Sequence, residues 1–130
     1  MKVHATALNR GELVVGGVVH GGDEKLGGNE AAGVITALGD GVTQFKLGDK
    51  VCGRVRGGFA EYTIAPAHQM MPLPAHLSFE QGAAIPVAFI TGYEMIYPPY
   101  GCLKAGEWLL ITGVSAGVGA ACVQMAKLLG

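Results

Sequence analysis

Glycine clusters recur along this chain and set the strongest constraint on its fold. Twenty-two of the 130 residues are glycine, and half of all residues are hydrophobic. Glycine adopts backbone conformations that other residues avoid, so clusters between short apolar segments predict tight turns. No Gly-X-Y period is present, which excludes a collagen-like structure. The clusters are Gly16-Gly17, Gly21-Gly22, Gly27-Gly28, Gly57-Gly58 and residues 113–119.

Four segments of the first 75 residues alternate between apolar and polar side chains, or nearly so, as half-buried strands do. Turn signals separate them, among them Gly21-Gly22-Asp23 and Gly39-Asp40-Gly41. Short strands with glycine corners at this spacing predict a compact, all-β, barrel-like unit. The predicted strands are residues 2–8, 33–38, 50–56 and 60–65.

The pattern becomes helical after residue 77. Ser78 and Gln81 fit a capping box, in which the serine caps a helix and the glutamine reaches back to it. Pro86 should end or kink this helix, and residues 87–97 predict a second helix that two prolines stop. An apolar run at residues 108–112 then suits a parallel strand that is buried on both faces.

A glycine loop follows this run and leads into a helix predicted over residues 120–129. The loop pattern Gly113-x-x-Ala116-x-x-Gly119, with Gly117 inside, is a near match to the loop that binds the diphosphate of a dinucleotide. The N-terminus of a helix offers free N–H groups and a partial positive charge to such a ligand. The alternative is an ordinary glycine-rich turn.

Charge and apolar patterning exclude several kinds of partner. The formal net charge is −1 and no basic stripe is present, so we expect no nucleic-acid partner. No apolar run approaches the roughly 20 residues of a membrane span, so we expect no membrane partner. The N-terminal residues show no hydrophobic signal core, and the three cysteines are far apart in sequence. These features favour a cytoplasmic location.

Six spaced segments follow one another in an order that is typical of a known family. They are residues 28–35 (GNEAAGVI), 39–42 (GDGV), 45–51 (FKLGDKV), 58–62 (GFAEY), 91–93 (TGY) and 113–119 (GVSAGVG). In this order they resemble the medium-chain dehydrogenases/reductases, and most of all the zinc-free quinone oxidoreductase branch. The resemblance implies a mixed β and α/β fold. A GroES-like β-barrel domain would span residues 1–75, and residues 76–130 would supply linking helices and the first strand-loop-helix of a Rossmann domain.

The resemblance also implies an activity and a larger protein. Family members open with an extra pair of strands and continue well beyond the segment that matches residue 130. The chain is therefore expected to be a truncated or internal piece that is inactive by itself. Within a whole enzyme, NADPH (or NADH) would bind in the cleft between the two domains. Hydride transfer would go to a small-molecule quinone or enone, and the full-length protein would be a homodimer.

The site residues come from the same resemblance. Asn9 and Thr91 would be catalytic and lie near the nicotinamide and the substrate, and Arg10 would pair with a cofactor phosphate. Asn9 could instead be a turn residue, Arg10 a solvated side chain and Thr91 a threonine bonded to its own helix backbone. The predicted cofactor-binding residues are Arg10, Thr91, Gly113, Ala116, Gly117, Val118 and Gly119.

Three positions that hold zinc ligands in the zinc-dependent branch fall on Asn9, Asn29 and Val87. An amide oxygen is a poor zinc ligand and valine is none, so no catalytic zinc is expected. Hydride transfer would then depend on positioning and hydrogen bonding. Glu30 could order the cleft from beneath. Two other functions remain open: an enoyl or alkenal reductase of the same family, and a non-catalytic GroES-like binding module.

Overall fold

The computed structural model describes residues 1–15 and 26–130. These residues divide into two compact units, Met1–Pro86 and Val87–Gly130. The turn predicted at Gly21-Gly22-Asp23 lies outside the described residues, and the domain division after residue 75 stays a prediction. Within the two described ranges, no helix has both the length and the apolar character needed to cross a membrane.

An antiparallel sheet forms the framework of the first unit. Its strands lie in chain order, and Val3 pairs with Gly33 while Ala32 pairs with Cys52. Gly33 is required at its position, because a Cβ there would overlap the backbone carbonyl of Lys2 on the neighbouring strand. The strands that the structure describes are β1 (Lys2–Thr6), β2 (Glu30–Val34), β3 (Lys50–Arg54) and β4 (Met70–Pro72).

The strands predicted at residues 2–8 and 50–56 are confirmed as β1 and β3, with shorter ends. The strand predicted at residues 33–38 is placed wrongly: β2 overlaps it only at residues 33 and 34 and begins three residues earlier. The strand predicted at residues 60–65 is wrong. That segment makes only an isolated bridge between Lys2 and Tyr62, because its backbone contacts reach only the first three residues of the chain. Strand β4 was not predicted from the sequence; it is only three residues long and ends in a proline, which has no N–H to donate to a ladder.

Short helices complete the first unit. The structure describes α1 (Arg10–Val15), a 3₁₀ turn (Ala67–Gln69) and α2 (Phe79–Ala83). The capping box of α2 is confirmed: the Gln81 backbone N–H donates to Ser78 Oγ, and the Ser78 N–H donates to Gln81 Oε1. Helix α2 packs on the sheet around a small core of Ala32, Cys52, Leu73 and Ala83.

The second unit contains two helices, α3 (Pro86–Ile96) and α4 (Gly117–Leu129); the first residue of α3, Pro86, belongs to the first unit. The two helices pack together around Ile96, Ala121, Cys122 and Met125. The predicted break at Pro86 is confirmed, and α4 begins three residues earlier than predicted. The strand predicted at residues 108–112 is wrong. A strand needs a backbone partner, and no described segment pairs with this one, which leaves Trp108 fully exposed.

Candidate active site

Asn9 lies between the end of β1 and the start of α1, and hydrogen bonds hold its backbone there. The Asn9 N–H donates to Glu12 Oε2 at 2.9 Å, and the Glu12 N–H donates to the Asn9 carbonyl at 3.0 Å. Such a reciprocal arrangement is typical of the first turn of a helix. The sequence left open whether Asn9 is a turn residue after β1. In the structure, the turn that contains it is the start of α1.

The side chain of Asn9 meets a buried carboxylate. Glu30, the first residue of β2, is only 2% exposed, and its Oε1 accepts a hydrogen bond from Asn9 Nδ2 at 2.7 Å. Thr6 Oγ1 donates to the Glu30 backbone carbonyl at 2.7 Å and joins the ends of β1 and β2. The Nδ2 side of the Asn9 amide therefore faces Glu30, because the amide nitrogen donates and the carboxyl oxygen accepts.

Glu12 joins this group to a second loop. Its other oxygen, Oε1, accepts the backbone N–H of Asn29 at 2.7 Å. One carboxylate thus connects the loops that carry Asn9 and Asn29, two of the three positions compared with zinc ligands. Sequence reasoning missed Glu12, although its spacing three residues after Asn9 is a signal of a helix start.

The three positions compared with zinc ligands are divided between the two units. Asn9 and Asn29 lie in the first unit, and Val87 lies in the second. Within residues 1–15 and 26–130, no group of three or more histidine, cysteine or acidic side chains is placed to hold a metal ion. The absence of zinc stays a prediction that rests on the chemistry of the three residue types.

The glycine loop of the second unit forms a tight turn directly before α4. Gly113 has a φ of +65°, and its carbonyl accepts the Ala116 N–H at 3.0 Å. Ala116 is the N-cap of α4, makes no side-chain cap, and is followed by a first turn without acidic residues. The first N–H groups of a helix have no partner within the helix. The N–H groups of Gly117, Val118 and Gly119 are therefore donors that no side chain of the cap satisfies.

Two glycines of this loop differ in how much room they have. A Cβ on Gly119 would lie 2.5 Å from the carbonyl oxygen of Gly113 and 2.7 Å from the Cα of Val114. A Cβ on Gly117 would have its nearest neighbour at 3.7 Å, the Cβ of Ala88. Glycine at position 119 is thus required by the folding of the loop on itself, whereas position 117 is open.

The remaining predicted residues lie on the surface of their own units. Arg10 is the exposed first residue of α1, in the first unit with Asn9. Thr91 is exposed on α3, in the second unit with the loop. Ala88, three residues before Thr91, lies next to Gly117 at the N-terminus of α4. Residues three apart share a helix face, so Thr91 lies on the face of α3 that includes Ala88.

Sequence comparisons match both a domain family and individual curated proteins. The family model described as alcohol dehydrogenase GroES-like domain matches residues 1–75. Quinone oxidoreductase of Homo sapiens is 39% identical over 135 residues, which cover 100% of this chain and 41% of that protein. The chain therefore spans about two fifths of the length of this relative.

Solved structures match most or nearly all of the chain. The human synaptic vesicle membrane protein VAT-1 homolog-like protein has a TM-score of 0.88 at 30% identity, covering 98% of this chain and 42% of that one. A mycobacterial protein complexed with NADPH has a TM-score of 0.84 at 26% identity, covering 99% and 41%. The CurK enoyl reductase has a TM-score of 0.74 at 32% identity, covering 79% and 31%.

Proposed function

Because the chain belongs to the alcohol dehydrogenase family with a GroES-like domain, the medium-chain dehydrogenases/reductases, we propose that it forms part of an NADPH- or NADH-dependent oxidoreductase. The family match confirms the predicted mixed fold with a GroES-like domain. The proposed reaction is hydride transfer to a quinone or a similar activated C=C or C=O acceptor without zinc. The identity to human quinone oxidoreductase supports this class of reaction.

The uncapped N-terminus of α4 is the observation that carries the proposal. Backbone N–H groups at the start of a helix bind phosphate because the donors converge and the helix dipole is positive there. The Ala116 cap leaves these donors to a ligand, and the first turn contains no carboxylate that would repel an anion. Gly113, with its positive φ, turns the chain sharply enough to present them.

The residues present fit a dinucleotide. The diphosphate would be held by the backbone of the loop residues Gly113, Ala116, Gly117, Val118 and Gly119. A similar protein was solved in complex with NADPH. We assign to Arg10 an ion pair with a cofactor phosphate and to Thr91 a place on the nicotinamide side. When bound, the dinucleotide supplies the hydride from its nicotinamide ring.

Asn9 would act on the substrate side by orientation. Its Nδ2 faces Glu30, and within residues 1–15 and 26–130 no hydrogen bond engages its Oδ1, which would contact a ligand. Positioning can supply several kcal/mol of the roughly 8–23 that enzymes remove from a barrier. The reaction would proceed without a Lewis acid, because three zinc ligands cannot be supplied by Asn9, Asn29 and Val87.

A second candidate, an enoyl reductase, is supported by the similarity to the CurK enoyl reductase. It would use the same loop and the same Asn9, and would differ in the acceptor. The proposal also includes a cytoplasmic location, and a homodimer for the full-length protein, which the family resemblance implies. A non-catalytic binding module is the outcome that the following test would reveal.

The test compares two preparations in steady-state oxidation of NADPH. One is residues 1–130; the other, called the extended protein, is residues 1–130 followed by the nucleotide-binding half of a quinone oxidoreductase relative. We expect the extended protein to reduce benzoquinone or an enoyl thioester, in the presence of a chelator, and residues 1–130 to show no turnover. The preferred acceptor separates the two candidate reactions. An extended protein that folds but oxidises no NADPH would refute the proposed function.

A further inference from the structure

We propose that Glu12 and Glu30 are positioning residues for Asn9: Glu12 fixes the place of its backbone, and Glu30 fixes the orientation of its side-chain amide. This inference rests on the proposed function, in which Asn9 contacts the ligand. The two carboxylates come from different elements, α1 and β2, and bind different parts of Asn9. Glu12 Oε2 accepts the backbone N–H at 2.9 Å, and Glu30 Oε1 accepts the side-chain N–H at 2.7 Å.

Glu30 determines which way the amide faces. It begins a strand whose following residues are Ala31, Ala32 and Gly33, all buried. A buried carboxylate is unfavourable unless donors satisfy it, and a hydrogen bond to it is stronger than one in water. Rotating the Asn9 amide by half a turn would bring Oδ1 against the carboxylate and replace an attraction by a repulsion. Glu30 therefore holds Asn9 in one of its two amide orientations.

Glu12 fixes where that pair lies. Capping of α1 accounts for its bond to Asn9, but not for its second bond to the N–H of Asn29 at 2.7 Å, 17 residues away. Asn29 and Glu30 are neighbours in the chain, so the contacts close a ring: Asn9 to Glu30, along the chain to Asn29, to Glu12 and back to Asn9. A closed ring of charge-assisted bonds restrains Asn9 more than either bond alone.

Substitutions at the two glutamates separate positioning from general stability. Glu30→Met preserves side-chain length and removes the acceptor, whereas Glu30→Gln restores a neutral acceptor at the same place. Glu12→Gln has one acceptor oxygen for two N–H groups and so loses one of the two bonds. Glu107→Gln is the matched control, because Glu107 Oε2 also accepts a backbone N–H, that of Lys104 at 2.8 Å, in the second unit.

The kinetic readout is the split between kcat and KM in the extended protein. We expect the kcat of Glu30→Met to fall on the order of tenfold to a hundredfold, since misplacing a reacting contact has effects of this size. KM for NADPH should stay within about twofold, because Asn9 does not bind the diphosphate. Glu30→Gln should recover most of the kcat, Glu12→Gln should be intermediate, and Glu107→Gln should match the wild type.

The structural readout is NMR of the Asn9 side-chain amide in ¹⁵N-labelled residues 1–130. In the wild type we expect shifted and slowly exchanging Nδ2 protons, and in Glu30→Met we expect signals like those of a solvated asparagine. Unchanged Asn9 signals, or a wild-type kcat in a folded Glu30→Met protein, would overturn the inference. If Glu30→Met does not fold, Glu12→Gln decides by the same two readouts. A wild type without turnover refutes the proposed function instead, and the Asn9 signals still decide whether the carboxylates hold the amide.

Discussion

Replacing Gly119 by alanine should weaken NADPH binding by distorting the loop, although the new methyl group does not itself enter the ligand space. The Cβ would lie 2.5 Å from the Gly113 carbonyl oxygen, and real Cβ atoms do not approach other atoms closer than 3.0 Å. The backbone of Gly113 and Val114 must therefore retreat by about half an ångström or more. Loss of one hydrogen bond to a charged ligand costs about 1.5–3 kcal/mol, which corresponds to about tenfold to a hundredfold weaker binding.

Fluorescence titration of the extended protein with NADPH measures this effect. Gly39→Ala is the matched control, because nothing lies within 4 Å of a Cβ at Gly39 and its φ is not positive. We expect the control to bind NADPH as the wild type does, and circular dichroism should show that both variants are folded. A folded Gly119→Ala protein with unchanged affinity would show that the loop does not hold the cofactor and that the steric reasoning is wrong.

Three further predictions concern stability and cysteine chemistry. Ser78→Ala removes one half of the capping box of α2 and should lower the free energy of unfolding in urea by about 0.5–2 kcal/mol; an unchanged midpoint would contradict this. Burial raises the pKa of the Cys52 thiol, so the unfolded chain ionises first as the pH rises. The stability that comes from keeping this thiol protonated is fully present below the ordinary thiol pKa of about 8.5 and is lost as the pH rises above it. The free energy of unfolding of Cys52→Ala should therefore fall less than that of the wild type between neutral and alkaline pH. Cys102 is exposed while Cys52 and Cys122 are buried, so a thiol reagent should label one cysteine in the native chain and all three after unfolding. Fast labelling of all three in the native state would contradict the packing.

Local signals in the sequence predicted the local structure well. The capping box at Ser78 and the helix break at Pro86 depend only on residues within about one helical turn, and both are confirmed. The strands at residues 60–65 and 108–112 depend on partners far along the chain. Their amino-acid patterns were suitable, but a strand forms only where a neighbour supplies a ladder, and the pattern of one segment does not contain that information.

The candidate site shows the same limit. The sequence singled out Asn9 as a catalytic residue and Glu30 as a residue that orders the cleft. It did not predict their hydrogen bond, because the two residues lie 21 positions apart in the chain. The role of Glu12 depends on both the start of α1 and the loop before β2, so no single window of the sequence contains it. The sequence placed Gly119 in the glycine loop, but it did not reveal the steric requirement there: the loop's own backbone excludes a side chain at this position.

NMR titration of ¹⁵N-labelled residues 1–130 with NADPH tests the central claim, that the loop before α4 binds the cofactor diphosphate. Binding to this chain alone should be weak, and chemical shifts detect weak binding at the level of single N–H groups. The account predicts that the largest shifts occur at the amides of Gly117, Val118 and Gly119, and that they are reduced in Gly119→Ala. The absence of shifts up to millimolar NADPH, or shifts confined to residues outside 113–119, would contradict it.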